Sequence, residues 1–129
     1  MMRLFLCLVI TCFLSLGLKS QTREVNTIAL IFKTGNTELL ADFLSENVSV
    51  GINKSEKSYS KAQANQVVKS FLERNKPTDF IYRHSGKSDH RDQFNVGQLK
   101  TVNGDFRITY FLIETKGGFK IKRLRIEPK

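Results

Sequence analysis

Beyond residue 24 the spacing of apolar positions changes several times, and each change predicts an element. Val25, Ile28, Ala29 and Phe32 recur at i, i+3, i+4 and i+7, the stripe of an amphipathic helix. That helix should stop near Lys33, with Gly35 taking the left-handed cap. A second, shorter helix follows, capped by Asn36 or Thr37 and carrying Leu39, Leu40, Phe43 and Leu44. Val48, Val50 and Ile52 then alternate with Ser49 and Gly51, as a half-buried strand requires. From Asn53 to Ser58 the chain is polar and reads as a loop. Ser60-Lys61-Ala62-Gln63 has the form of a capping box, in which side chains at both ends bond free backbone amides. Ala64, Val67, Val68, Phe71 and Leu72 give this third helix one apolar face, and Asn75-Lys76-Pro77 ends it.

Strands fill the remainder. Phe80, Tyr82 and His84 share one face of the first, and a polar loop from Gly86 to Arg91 leads into Phe94 to Val102. Asn103-Gly104 is a two-residue hairpin signal, since both residues tolerate positive φ. Phe106 to Thr115 follows, then a tight turn at Lys116-Gly117-Gly118, then Phe119 to Ile126. In this last strand Phe119 and Ile121 have one parity, Leu124 and Ile126 the other. A bulge near Lys122-Arg123 restores a common inward face.

The first twenty residues differ from all of this. Arg3 precedes an apolar run from Leu4 to Leu18, shorter than the roughly 20 residues a membrane-spanning helix needs, and Lys19-Ser20-Gln21 closes it. Residues 1–20 read as an export signal. Both cysteines, Cys7 and Cys12, fall inside it, and the branched residues before Cys12 do not suit a lipid-anchoring cut. The mature chain, residues 21–129, is then free of cysteine and acts in the periplasm or outside the cell. Without disulfides or thiolate chemistry it relies on apolar packing, to which eight of the ten phenylalanines contribute. Losing Arg3 and Lys19 leaves 19 basic against 12 acidic residues. Such a surface could attract nucleic acid, but export sets that partner aside and favours anionic envelope polymers or lipid head groups.

The order of elements, α-α-β-α followed by strands, resembles the nuclear transport factor 2-like fold of the cystatin-like group. Tyr59-Ser60-Lys61-Ala62-Gln63-Ala64, Asn75-Lys76-Pro77, Asn103-Gly104-Asp105-Phe106-Arg107 and the ending from Gly117-Gly118 through Leu124-Arg125-Ile126-Glu127 are similar to a family of small exported bacterial proteins of uncharacterised function. The resemblance covers essentially the whole mature chain. It implies a single α+β cone, a curved antiparallel sheet wrapped around three N-terminal helices. It carries no catalytic residues across.

Candidate chemistry is sparse. His84, Asp89, His90 and Asp92 gather around the Gly86–Asp92 loop, but zinc or calcium needs three or more ligands in fixed geometry, so a solvated loop without metal is expected. No G-x-S-x-G elbow and no glycine-rich phosphate cradle occurs, and nothing calls for a cofactor. In cone folds a catalytic acid or base sits inside the apolar cavity. On inward parity only His84 and Tyr110 qualify, with Tyr82 beside them, and no carboxylate joins them. The sequence therefore predicts a non-catalytic binding or accessory domain, with Tyr59, Tyr82, His84 and Tyr110 at the mouth of a cavity for a protein or small apolar ligand. Two alternatives stand beside it: an isomerase- or dehydratase-like enzyme using His84 as base, and a binder of anionic polymers through the basic closing strand. Phe111 and Ile113 make their strand apolar on both parities, so a homodimer through the sheet face is a further expectation.

Overall fold

A computed structural model describes residues 19–87 and 93–129. Helix α1 (Lys19–Thr34) is followed by one 3-10 turn (Leu40–Phe43), β1 (Leu44–Ile52), β2 (Ser55–Ser60), α2 (Lys61–Arg74), β3 (Pro77–Lys87), β4 (Gln93–Thr101), β5 (Gly104–Thr115) and β6 (Gly118–Pro128). The strands form one sheet in the order β2-β1-β6-β5-β4-β3. Two helices cover its inner face. The α+β cone holds, with two corrections: the sheet is mixed, because β1 runs parallel to β6, and among the described residues two α-helices rather than three fill it. Among the described residues no helix is long and apolar enough to cross a membrane. Most of the expected export signal, with Cys7 and Cys12, lies outside the described residues; its last two, Lys19 and Ser20, open α1.

Local chemistry accounts for most boundaries. Gly35 has φ 75° and donates its N–H to the Ile31 carbonyl at 2.8 Å, ending α1. The predicted second helix shrinks to the 3-10 turn. Leu40 is buried there, while Leu44 already opens β1 opposite Ile121. Ser60 caps α2 as a full capping box: its hydroxyl accepts from the Gln63 N–H, and the Gln63 side chain accepts from the Ser60 N–H, both at 3.3 Å. The expected Asn53–Ser58 loop is instead a tight turn at Asn53-Lys54 followed by edge strand β2. Only Tyr59 in β2 is withdrawn from solvent, so the strand has no apolar alternation to betray it.

The β4–β5 hairpin turns through Val102-Asn103, one residue earlier than predicted, with Gly104 alone at positive φ (113°). Asn103 serves the helix instead. Its amide donates to the Arg74 carbonyl at 2.8 Å and docks the hairpin tip on the end of α2.

The core lies between helices and sheet. Ile28, Ile31 and Phe32 of α1 and Val68, Phe71 and Leu72 of α2 bury against Leu99, Ile108, Leu112, Leu124 and Ile126. Phe32 stacks on Phe80 at 5.6 Å, seating α1 on β3, and Phe71 meets Phe106 edge-on at 5.0 Å. The predicted bulge in β6 is present: Arg123 pairs with Phe111 and Ile121 with Leu112, which leaves Lys122 out of register. β3 carries two further irregularities that the sequence does not predict, at Thr78 and at Arg83.

Candidate functional site

On β4 and β5 the inward positions alternate as Asn95, Gly97, Leu99 and Ile108, Tyr110, Leu112. Asn95 and Tyr110 are register partners, both fully buried. Neither is satisfied: Tyr110 Oη and Asn95 Nδ2 are buried without a hydrogen-bond partner among the described residues. Most buried polar atoms are bonded, so two adjacent exceptions call for an explanation. Tyr82, opposite Gly97 on β3, links them to solvent. Its hydroxyl donates to Asn95 Oδ1 at a long 3.4 Å, while its side chain remains about half exposed. Burial, with the Tyr82 phenol as a lesser contributor, pushes the Tyr110 hydroxyl well above its ordinary value. Tyr110 therefore stays protonated at any physiological pH. The Tyr110 O–H and the Asn95 N–H are thus two unbonded donors on facing register positions of one sheet face.

The opposite face has a different character. His84 packs edge-on against Phe94 (6.4 Å), Phe94 leans on Phe111 (6.0 Å), and the Arg123 guanidinium sits 5.7 Å above the Phe111 ring. Arg123 then grips Glu56 through two hydrogen bonds of 2.6 and 2.8 Å. The Arg123 bond holds the Glu56 carboxyl down at about 2, against the smaller opposing effect of burial. Beside this row lies a hollow of about 540 Å³ framed by Arg83, His84, Arg107 and Lys129.

The four predicted mouth residues therefore do not assemble as expected. Tyr82 and Tyr110 come together on the inner face. Tyr59 lies on β2, at the opposite sheet edge from Tyr82, where it packs against the core near α2. His84 is corrected to the outer face, because the bulge at Arg83 reverses its parity: Tyr82 opposes Gly97 but His84 opposes Val96. It cannot share a cavity with Tyr110. Asn95 was missed. Its only sequence signal is an amide on the parity of Leu99 within a strand. Phe111 and Ile113 are half-buried on the outer face, where Phe94 and Arg123 of the same chain flank the Phe111 ring. Asp89, His90 and Asp92 lie outside the described residues, and those described hold no group of three or more His, Cys, Asp or Glu that could bind a metal.

Comparison with known proteins agrees with this architecture. Residues 25–127 match a family described as "Domain of unknown function (DUF4783)". A crystal structure of a DUF4783 family protein from Bacteroides fragilis YCH46 is 31% identical, with a TM-score of 0.75 over 79% of this chain and 95% of that one. A second, from Bacteroides ovatus ATCC 8483, is 27% identical with a TM-score of 0.74, over 79% of this chain and 92% of that one. At 16% identity, an uncharacterised bacterial protein with a cystatin-like fold from Silicibacter pomeroyi DSS-3 has a TM-score of 0.61, covering 86% of this chain and 77% of that one; it shares the fold alone. No curated protein matches the chain.

Proposed function

This chain belongs to the DUF4783 family, a domain of unknown function, and we propose that it acts as a non-catalytic binding domain for a small, largely apolar ligand bearing a hydrogen-bond acceptor such as a carbonyl. One observation carries the reading: Tyr110 Oη and Asn95 Nδ2 are adjacent buried donors left unbonded in an apolar wall. A buried polar group without a partner costs about 1–3 kcal/mol, and a ligand acceptor placed between the two would recover that energy. Tyr82, half in solvent, marks the entrance. A proton-abstracting role gains no support. The buried polar residues among those described are Thr37, Asn95 and Gln98, none of them a carboxylate, and Tyr110 is held protonated. The domain works outside the cytosol, a reading supported by the apolar run behind Arg3.

Titration of the full-length protein with cyclohexanone, followed by NMR of the Asn95 side-chain amide, tests the site. We expect saturable shifts in the wild type and binding weakened roughly tenfold in Tyr110→Phe, the loss of one buried hydrogen bond. The free Tyr110→Phe protein should be as stable as the wild type or more so, because it no longer buries an unbonded hydroxyl. Equal responses from both proteins, or none from either, would overturn the proposal.

A further inference from the structure

On the outer face, Gln98 is all but buried and holds two of the three cations that line the hollow of about 540 Å³. Its Oε1 accepts from the Arg83 guanidinium and also from Lys129 Nζ, the latter at 2.8 Å. Its Nε2 donates to Asp105 Oδ2 at 2.6 Å, and the Lys129 N–H is tied to the Asp105 carbonyl at 3.0 Å. The Gln98 oxygen thus accepts twice and its amide nitrogen donates once, which pins the side chain from both ends. Two cations share a single neutral acceptor, and the one carboxylate bonded to the same amide, Asp105, offsets only part of their mutual repulsion. Arg107, the register partner of Gln98, brings a third cation to the same hollow, and its guanidinium makes no hydrogen bond or ion pair among the described residues. The nearby carboxylates, Asp105 and Glu127, bring two negative charges against three positive ones, so the group stays net positive. Asp105 is engaged by Gln98, and Glu127, opposite Arg107 on β6, lines a neighbouring hollow with Lys54 and Arg125.

We infer that this hollow is a binding site for a phosphomonoester. Arg83 comes from β3, Arg107 from β5 and Lys129 from the chain end, so the cations approach from separate elements. A tetrahedral group whose three terminal oxygens share up to two negative charges matches that convergence better than a planar carboxylate. Arginine forks bind phosphate oxygens in pairs, while lysine supplies a point charge. Thr109 lines the hollow as well, and its hydroxyl adds a neutral donor. The apolar edge of Val96 leaves room for the ester's carbon skeleton. This site lies on the face opposite Tyr110 and does not depend on the interior ligand.

Calorimetric titration of the full chain with glycerol 3-phosphate, with inorganic phosphate, and with vesicles containing phosphatidylglycerol distinguishes the sources of the phosphoryl group. Glycerol 3-phosphate should bind one-to-one, and more tightly than glycerol 3-sulfate. Arg107→Gln should weaken it tenfold or more, the scale of a lost charge-assisted hydrogen bond. Lys57→Gln removes the same charge from exposed edge strand β2 and should leave binding unchanged. Since Arg107 is exposed and unbonded, its variant should fold, which its thermal unfolding checks. Inorganic phosphate binding as tightly as the ester would still place the phosphoryl group here, provided Arg107→Gln weakens it. The inference fails if the two variants lose affinity equally, if only vesicles bind, or if neither phosphate nor ester binds at low salt.

Discussion

The ring of Phe80 occupies the space where a side chain on residue 97 would begin. A Cβ built on Gly97 would lie 2.1 Å from Phe80 Cζ, and Phe80 cannot retreat because Phe32 is stacked on it. Gly97→Ala should therefore destabilise the protein by about 1–3 kcal/mol, as overpacking in a filled core does. Urea unfolding would show a lower midpoint at unchanged slope; an unchanged midpoint would mean that the Phe32–Phe80 pair moves freely. Tyr82, the register partner of Gly97, reaches diagonally to Asn95 on the same strand. Tyr110 was legible at this scale, since Ile108 and Leu112 share its parity. Asn95 was not, because an amide inside a strand carries no information about whether it will be bonded.

Elements were legible where their ends carry specific chemistry. The Ser60–Gln63 box announced α2, and its loss has a calculable effect: Ser60→Ala should cost about 1 kcal/mol, measured as a fall in the thermal or urea midpoint. An unaltered midpoint would mean that packing of Ala64, Val68 and Phe71 alone holds the helix start. Strand β2 was illegible because its residues are nearly all exposed, leaving no periodicity to read. The bulges at Lys122 and at Arg83 show the same limit from opposite sides. In β6, apolar residues flank Lys122, so the change of parity from Ile121 to Leu124 was visible in the sequence. In β3 the residues beyond Arg83 are His84, Ser85, Gly86 and Lys87, and no apolar residue records that the strand has turned over. That silence moved His84 from the inner wall to the outer face, and with it went the geometry for His84 as a base beside a tyrosine.

Across the whole molecule the sheet edge is held by charge as well as backbone. Glu56 on β2 reaches over β1 to Arg123 on β6, and both side chains keep about a third of their exposure (34% and 36%). The Glu56 carboxyl is held below its ordinary value in the folded protein, so its contribution to stability is complete above about 4.5 and fades as pH falls toward about 2. Solvent screening keeps that contribution to roughly 0.5–1 kcal/mol. Glu56→Gln should lose this amount at pH 7, and the gap between variant and wild type should close as the solution is acidified toward pH 2. A gap that stays constant over that range would mean the pair acts through packing alone. The sequence by itself determined the stripes of the two helices, the capping box, the β6 bulge and the α+β class, because each depends on neighbours within a few residues. Only the tertiary structure decided that β1 joins β6 in parallel, that Tyr110 meets Asn95 while His84 does not, and that Arg83, Arg107 and Lys129 surround one hollow. Those juxtapositions depend on strand register between distant segments, and one unpaired residue is enough to reverse which face a side chain occupies.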